Sequence, residues 1–113
     1  MIPSDTQSVV IFTKVATSNQ VAGARLLVDS LRAFGGPLAK SPVWVFETKR
    51  MEASRQALAG PGVEIVPLAI PRSLADVPYA AKVTACAAAE ARAAGTYRSC
   101  IWLATDCLIV QPP

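Results

Sequence analysis

Short apolar runs separated by stretches of helical periodicity constrain the fold of this chain more than any other feature. Val9-Val10-Ile11-Phe12 comes first, nearly continuous in apolar residues, as a strand covered on both faces should be. Pro42 to Phe46 and Val63 to Leu68 read as the second and third strands, and a fourth run, Ile101-Trp102-Leu103, follows within Ser99 to Val110. Between the first two, Val21, Ala24, Leu27, Val28, Leu31 and Phe34 recur at helical spacing, with Arg25, Asp29 and Arg32 on the opposite face. Ser18 or Asn19 can cap that helix, and Gly35-Gly36 with Pro37 ends it. A short second helix runs from a Thr48 cap through Leu58 and stops at Gly60-Pro61. A third, from about Tyr79 to Ala94, is dominated by alanine, the best helix former and one that lets a helix approach a sheet closely; Gly95 closes it.

This strand and helix alternation predicts an α/β domain: a three-layer sandwich around a mainly parallel four-stranded sheet. Right-handed crossovers carry strands one, two and three in one direction, and the longer third connection returns strand four to the side of strand one. The expected order is 3-2-1-4, with a switch point between strands one and four. Residues 1–113 form a single domain in this reading, since that length supports one core.

Composition narrows the function classes. The net charge of +3 comes from scattered Lys and Arg without a basic run or interleaved aromatics, so no nucleic-acid partner is expected. The apolar stretch Val9 to Phe12 is too short for a signal core or a membrane span, and a soluble, cytoplasmic chain is expected. Cys86, Cys100 and Cys107 lie in apolar segments with no CxxC pair and no histidine beside them, which reads as buried thiols.

Open α/β sheets bind ligands at the carboxyl edge, so the strand ends are where chemistry is sought. The fourth run breaks at Ala104-Thr105-Asp106 before a second run, Leu108-Ile109-Val110, and so delivers a lone carboxylate to that edge. The loop Thr13 to Ser18, with Thr13, Lys14 and Val15 at its start, is expected to face Asp106 across the crevice. Glu47 ends strand two, either as a ligand contact or as a solvated strand end. The Pro-punctuated connection from Pro67 through Pro78 is long for a compact domain, a length that goes with function. Lys82 sits near the start of its helix, where a cation adds to the helix's own positive end and suits a phosphate; a Lys snorkelling from an exposed face is the plainer alternative.

Two blocks carry a family likeness. Ala81-Lys82-Val83, followed by Gly95 through Val110, resembles the nucleotide-sugar half of GT-A-fold glycosyltransferases, especially the glycogenin-like family 8 type, in which a lysine-bearing helix leads into a hydrophobic strand ending in Asp-x-Asp. Val10-Ile11-Phe12-Thr13, with Gly23-Ala24-Arg25-Leu26-Leu27 and Ser30-Leu31-Arg32, resembles the start of that family. The resemblance implies a Rossmann-like half of a GT-A fold that binds a nucleotide diphosphate or nucleotide-sugar. Thr13, Lys14 and Val15 would touch the nucleoside, Lys82 would approach phosphate or sugar, and Thr105 and Asp106 would complete the site. In such enzymes paired carboxylates hold Mn2+ or Mg2+ on the diphosphate. Here Asp106 takes the second acidic position and Ala104 stands at the first, so the metal site is incomplete and this chain requires no cofactor of its own. The family's further ligand, often a histidine, has no counterpart in a sequence without histidine, and the acceptor half is not recognised in it. The expectation is a truncated or degenerate nucleotide-sugar-binding half-domain without autonomous transferase activity. The alternative is a non-catalytic α/β module for self-association in which Asp106 caps a turn. A homodimer is expected in either case, because a free strand edge is a template for pairing.

Overall fold

β1 (Val9–Val15) is the strand around which the sheet is assembled, paired in parallel on one side with β2 (Val43–Glu47) and on the other with β4 (Ser99–Trp102). β3 (Val63–Pro67) pairs in parallel with β2, so the order is β3-β2-β1-β4, as the crossover argument requires. The structure is a computed structural model that describes residues 9–48, 52–74, 76–77 and 79–108, with the side chains of 53–55 outside that description. Three α-helices complete it: α1 (Ser18–Phe34), α2 (Glu52–Leu58) and α3 (Ala80–Ala93). None among the described residues is long and apolar enough to cross a membrane.

Strand alternation sorts the core into two layers. Ile11, Val15, Val43 and Val45 point to one face, where Val21, Ala24, Val28 and Leu31 of α1 and Leu58 of α2 cover them. Val10, Phe12, Trp44 and Phe46 point to the other, where they meet Ala85, Ala89 and Ala93 of α3. That pairing explains the alanine content: residues four apart form one stripe of the helix, and small side chains on it leave room for the rings beneath. Phe12 and Phe46 meet edge to face with centroids 6.0 Å apart, and Phe12 lies 5.6 Å from Trp102. Arg92 of α3 lies over the Trp44 ring at 5.0 Å and pairs with Glu64 of β3.

Several boundaries differ from the sequence expectation. Thr13, Lys14 and Val15 belong to β1 and not to a loop, because the ladder with β2 continues through Val15 opposite Glu47. The connection to α1 is therefore only Ala16-Thr17, and the cap is Thr17, not Ser18 or Asn19; its Oγ1 accepts from the Gln20 amide at 3.2 Å. Gln20 reaches back to accept from the Ala16 amide at 2.7 Å, which closes a variant of the capping box. Thr48 does not cap α2, which begins at Glu52; its amide instead donates to the Val15 carbonyl. Phe34, placed on the core face by periodicity, is 54 % exposed. β4, an edge strand, is half-buried from Cys100 to Trp102, and its Ser99 is exposed. The three cysteines are half-buried free thiols and not fully buried ones; burial, helped by Glu90 and Cys86, pushes the Cys100 thiol up. Ile109 and Val110 of the expected second run lie outside the described residues.

Candidate functional site

The strand ends on the carboxyl edge separate into two environments because successive side chains point to opposite faces. Thr13 and Val15 fall on the α1 face and are fully buried; the Thr13 hydroxyl has no hydrogen-bond partner there. Glu47 lies on that face as well, only 4 % exposed, so it is not a solvated strand end. Lys14 falls on the opposite face, toward α3, and remains partly accessible.

The fourth strand ends in a turn. The Leu103 amide still donates to the Phe12 carbonyl at 3.1 Å, and the Cys107 amide donates to the Ala104 carbonyl at 3.0 Å, which closes a turn with Thr105 and Asp106 at its corner. This turn leans on α1. A Cβ on Gly23 would stand 2.4 Å from the Thr105 carbonyl oxygen, so helix and turn meet at a glycine because nothing larger fits between them. Asp106 itself is exposed.

A cleft of about 460 Å³ opens on the α3 face of the same edge. Lys14 from β1 and Lys82 from α3 both line it, together with the apolar side chains of Ile70, Leu74 and Val77 from the connection between β3 and α3. The Lys82 ammonium lies 5.6 Å from the Trp102 ring centroid, a cation–π contact that ties α3 to the end of β4. Tyr79 stands at the rim, 80 % exposed, with φ of 65°, the one described residue other than glycine in the left-handed region. Such a conformation costs a side-chain-bearing residue about 1 kcal/mol or more and is held only where the surroundings impose it.

Of the residues singled out from sequence, the structure brings Lys14 and Lys82 together. Thr13 and Val15 are buried on the other face, and Thr105 and Asp106 stand in the turn against α1 and do not line the cleft. Sequence reasoning did not assign to the site Thr48, Ile70, Leu74, Val77 and Tyr79, which do line the cleft. The signal that pointed toward them was the length of the Pro67 to Pro78 connection, which carries no periodicity to say where it goes.

The donor set does not fit a divalent ion of the kind the resemblance implies. Magnesium takes near-octahedral oxygen ligands, commonly from one or two carboxylates with phosphates and water. Asp106 is a single carboxylate in an exposed turn with Ala104 two positions before it, and among the described residues no three His, Cys, Asp or Glu side chains converge. No protein-family model matches the chain, and neither the curated proteins nor the solved structures include a match to it.

Proposed function

We propose that the chain binds a nucleoside diphosphate, free or as the nucleotide part of a nucleotide-sugar, in the cleft between β1 and the start of α3. One observation carries the reading: two cations from separate elements, Lys14 and Lys82, line one cleft together with the apolar Ile70, Leu74 and Val77. That is the pairing a nucleotide requires, charge for its phosphates and a dry surface for its base. The position supports it, since parallel α/β sheets bind ligands outside the carboxyl ends of their strands, and so does the likeness of the Lys82 and Ser99 to Val110 blocks to GT-A transferases. The activity proposed for this chain is binding, with no transfer step assigned to its residues.

Tyr79 supplies the test. With its ring exposed at the rim, it is placed to lie against a planar base, and its strained backbone is the conformation glycine adopts freely. In Tyr79→Gly, relief of that strain opposes the added chain entropy of glycine, and the stability of the free chain should stay within about 1 kcal/mol of wild type. Thermal melts with UDP, GDP and uridine should show saturable stabilisation of the wild type by the diphosphates, and Tyr79→Gly should lose most of it. No melt shift with either diphosphate would sink the reading.

Self-association is a second reading with an observation of its own. β4 is an edge strand whose described pairing is with β1 alone. Leu26 and Phe34, 61 % and 54 % exposed, lie three and eleven positions after Gly23 and so share its flank of α1, the flank that meets the turn after β4. Two copies related by a two-fold axis would pair β4 with itself in antiparallel fashion. Light scattering should then give twice the mass of 11.9 kDa, falling to the monomer when Cys100, whose backbone N–H faces the open edge of β4, is replaced by proline. A monomeric wild type across concentration rejects it.

A further inference from the structure

The disagreement between the carboxylates present and the metal the family likeness implies leaves a question of charge. A diphosphate carries between two and three negative charges at neutral pH, and burying any of them requires compensation. Asp106 cannot help to recruit that compensation to the cleft, because its turn leans on α1 and it does not line the cleft. No other acidic side chain lines the cleft among the described residues; the charged groups that do are Lys14 and Lys82. They come from different elements, Lys14 from the end of β1 and Lys82 from the first turn of α3, and both line the same cleft. A divalent cation drawn into the same space would meet two ammonium groups, and like charges close together in a partly desolvated cleft repel strongly.

We infer that Lys14 and Lys82 together take the place of a divalent cation, so that the cleft binds the diphosphate group by direct ammonium contacts and without metal. This rests on the proposed nucleotide site and adds to it the means by which phosphate charge is met. Lys82 rests over the Trp102 ring in the free chain, and an arriving phosphate competes with the ring for its ammonium. Lys14 projects from the central strand of the sheet, beyond the end of β4 and beside Phe46 of β2. Neither contact involves bond making or breaking; the chemistry is ion pairing, with bound water and counterions released.

The experiment is calorimetric titration of the full chain with UDP, inorganic pyrophosphate and uridine, each in EDTA and again in manganese chloride. The expected result is UDP and pyrophosphate affinity that differs by less than about twofold between the two buffers, with Lys14→Gln and Lys82→Gln each weakening both ligands by about tenfold and leaving uridine unchanged, as loss of one charge-assisted contact does. Lys82→Arg, which keeps the charge, should retain most of the affinity. Melting temperatures of the variants within the wild-type range show that the fold is kept, both lysines being at the surface. Binding of UDP that appears only with manganese would overturn the inference while leaving the nucleotide site standing. Binding in EDTA that neither glutamine variant weakens would overturn it too. Absence of saturable UDP binding in both buffers would reject the site itself, and the inference with it.

Discussion

Gly23→Ala is expected to lower the stability of the chain by about 2 kcal/mol, a melting temperature about 10 °C lower, although the same change in an open helix raises stability. The sign is the informative part. Alanine is about 1 kcal/mol better than glycine in the interior of a helix, and Gly23 lies well inside α1. Its Cβ, however, would stand 2.4 Å from the Thr105 carbonyl oxygen and 3.2 Å from the Thr105 Cβ. The first of these is backbone within a hydrogen-bonded turn, so it cannot swing away as the end of a long side chain can. Either the turn lifts from α1 or α1 lifts from the sheet, and overpacking of that kind costs about 1 to 3 kcal/mol beyond what the propensity gain offsets. If the turn lifts, Cys107 becomes more accessible, and its alkylation should quicken alongside the drop in melting temperature. A variant more stable than wild type would mean that the turn does not rest on Gly23.

Arg32→Ala is expected to cost about 2 kcal/mol in denaturant unfolding, well beyond the usual effect of removing a surface arginine. Its guanidinium gathers three backbone carbonyls from two separate segments: Ala39 at 3.0 Å and Ser41 at 2.6 Å in the link before β2, and Pro61 at 3.2 Å in the turn before β3. These carbonyls belong to connections with no ladder to satisfy them, and a charged planar donor with several N–H groups spans them as no other side chain can. Partial burial lowers the pKa of Arg32, but an arginine keeps its proton in proteins, so the clamp stays charged. The group is only part-buried, which keeps the expected loss well below the sum of three buried charged hydrogen bonds. Arg32→Lys should recover less than half, because an ammonium presents its donors from a single point. The clamp works at the amino edge of the sheet, and losing it should leave ligand affinity at the carboxyl edge unchanged. A loss under about 0.5 kcal/mol would show that water replaces the guanidinium freely.

The architecture was legible because its largest energetic contribution is written as pattern. Unalternating apolar runs at Val9 to Phe12 and Val43 to Phe46 announce strands covered on both faces, and the periodic stretch from Val21 to Leu31 announces the helix that covers one of them. Strand order then followed from handedness. The last three residues of β1 were harder, since Thr-Lys reads as polar loop until the partner strand is known to extend as far. The cap is Thr17 and not Ser18 or Asn19 for the same reason: the strand ends later, and only Ala16 and Thr17 separate it from the helix.

The site was less legible than the fold. Lys82 could be singled out because a cation in the first turn of a helix runs against the helix dipole, a local rule that needs no neighbours. Lys14 emerged only as one of three residues in an expected loop, and which of them would face a ligand depends on strand parity, hence on β1 running through Val15. The apolar lining of Ile70, Leu74 and Val77 was hidden because the connection that carries it has no repeating pattern, and tertiary packing alone decides where it lies. Gly23 was hidden differently. A glycine inside a helical pattern is ordinary, and only the approach of Thr105 from eighty residues away makes it indispensable.

The alanine stripe of α3 has a mechanical consequence. Ala85, Ala89 and Ala93 give the helix a smooth underside, with no bulky side chain to lock its position along its own axis over the rings below. Its two cation–π contacts lie near its two ends, Arg92 on Trp44 and Lys82 on Trp102. One of these two contacts is made by the same ammonium that is proposed to meet phosphate, so any anion that engages Lys82 does so against the attraction of the ring, on the order of 0.5 to 1 kcal/mol where solvent has access. That sets a threshold. A weak monoanion is expected to leave that contact in place, and a ligand with more negative charge at Lys82 to compete better with the ring.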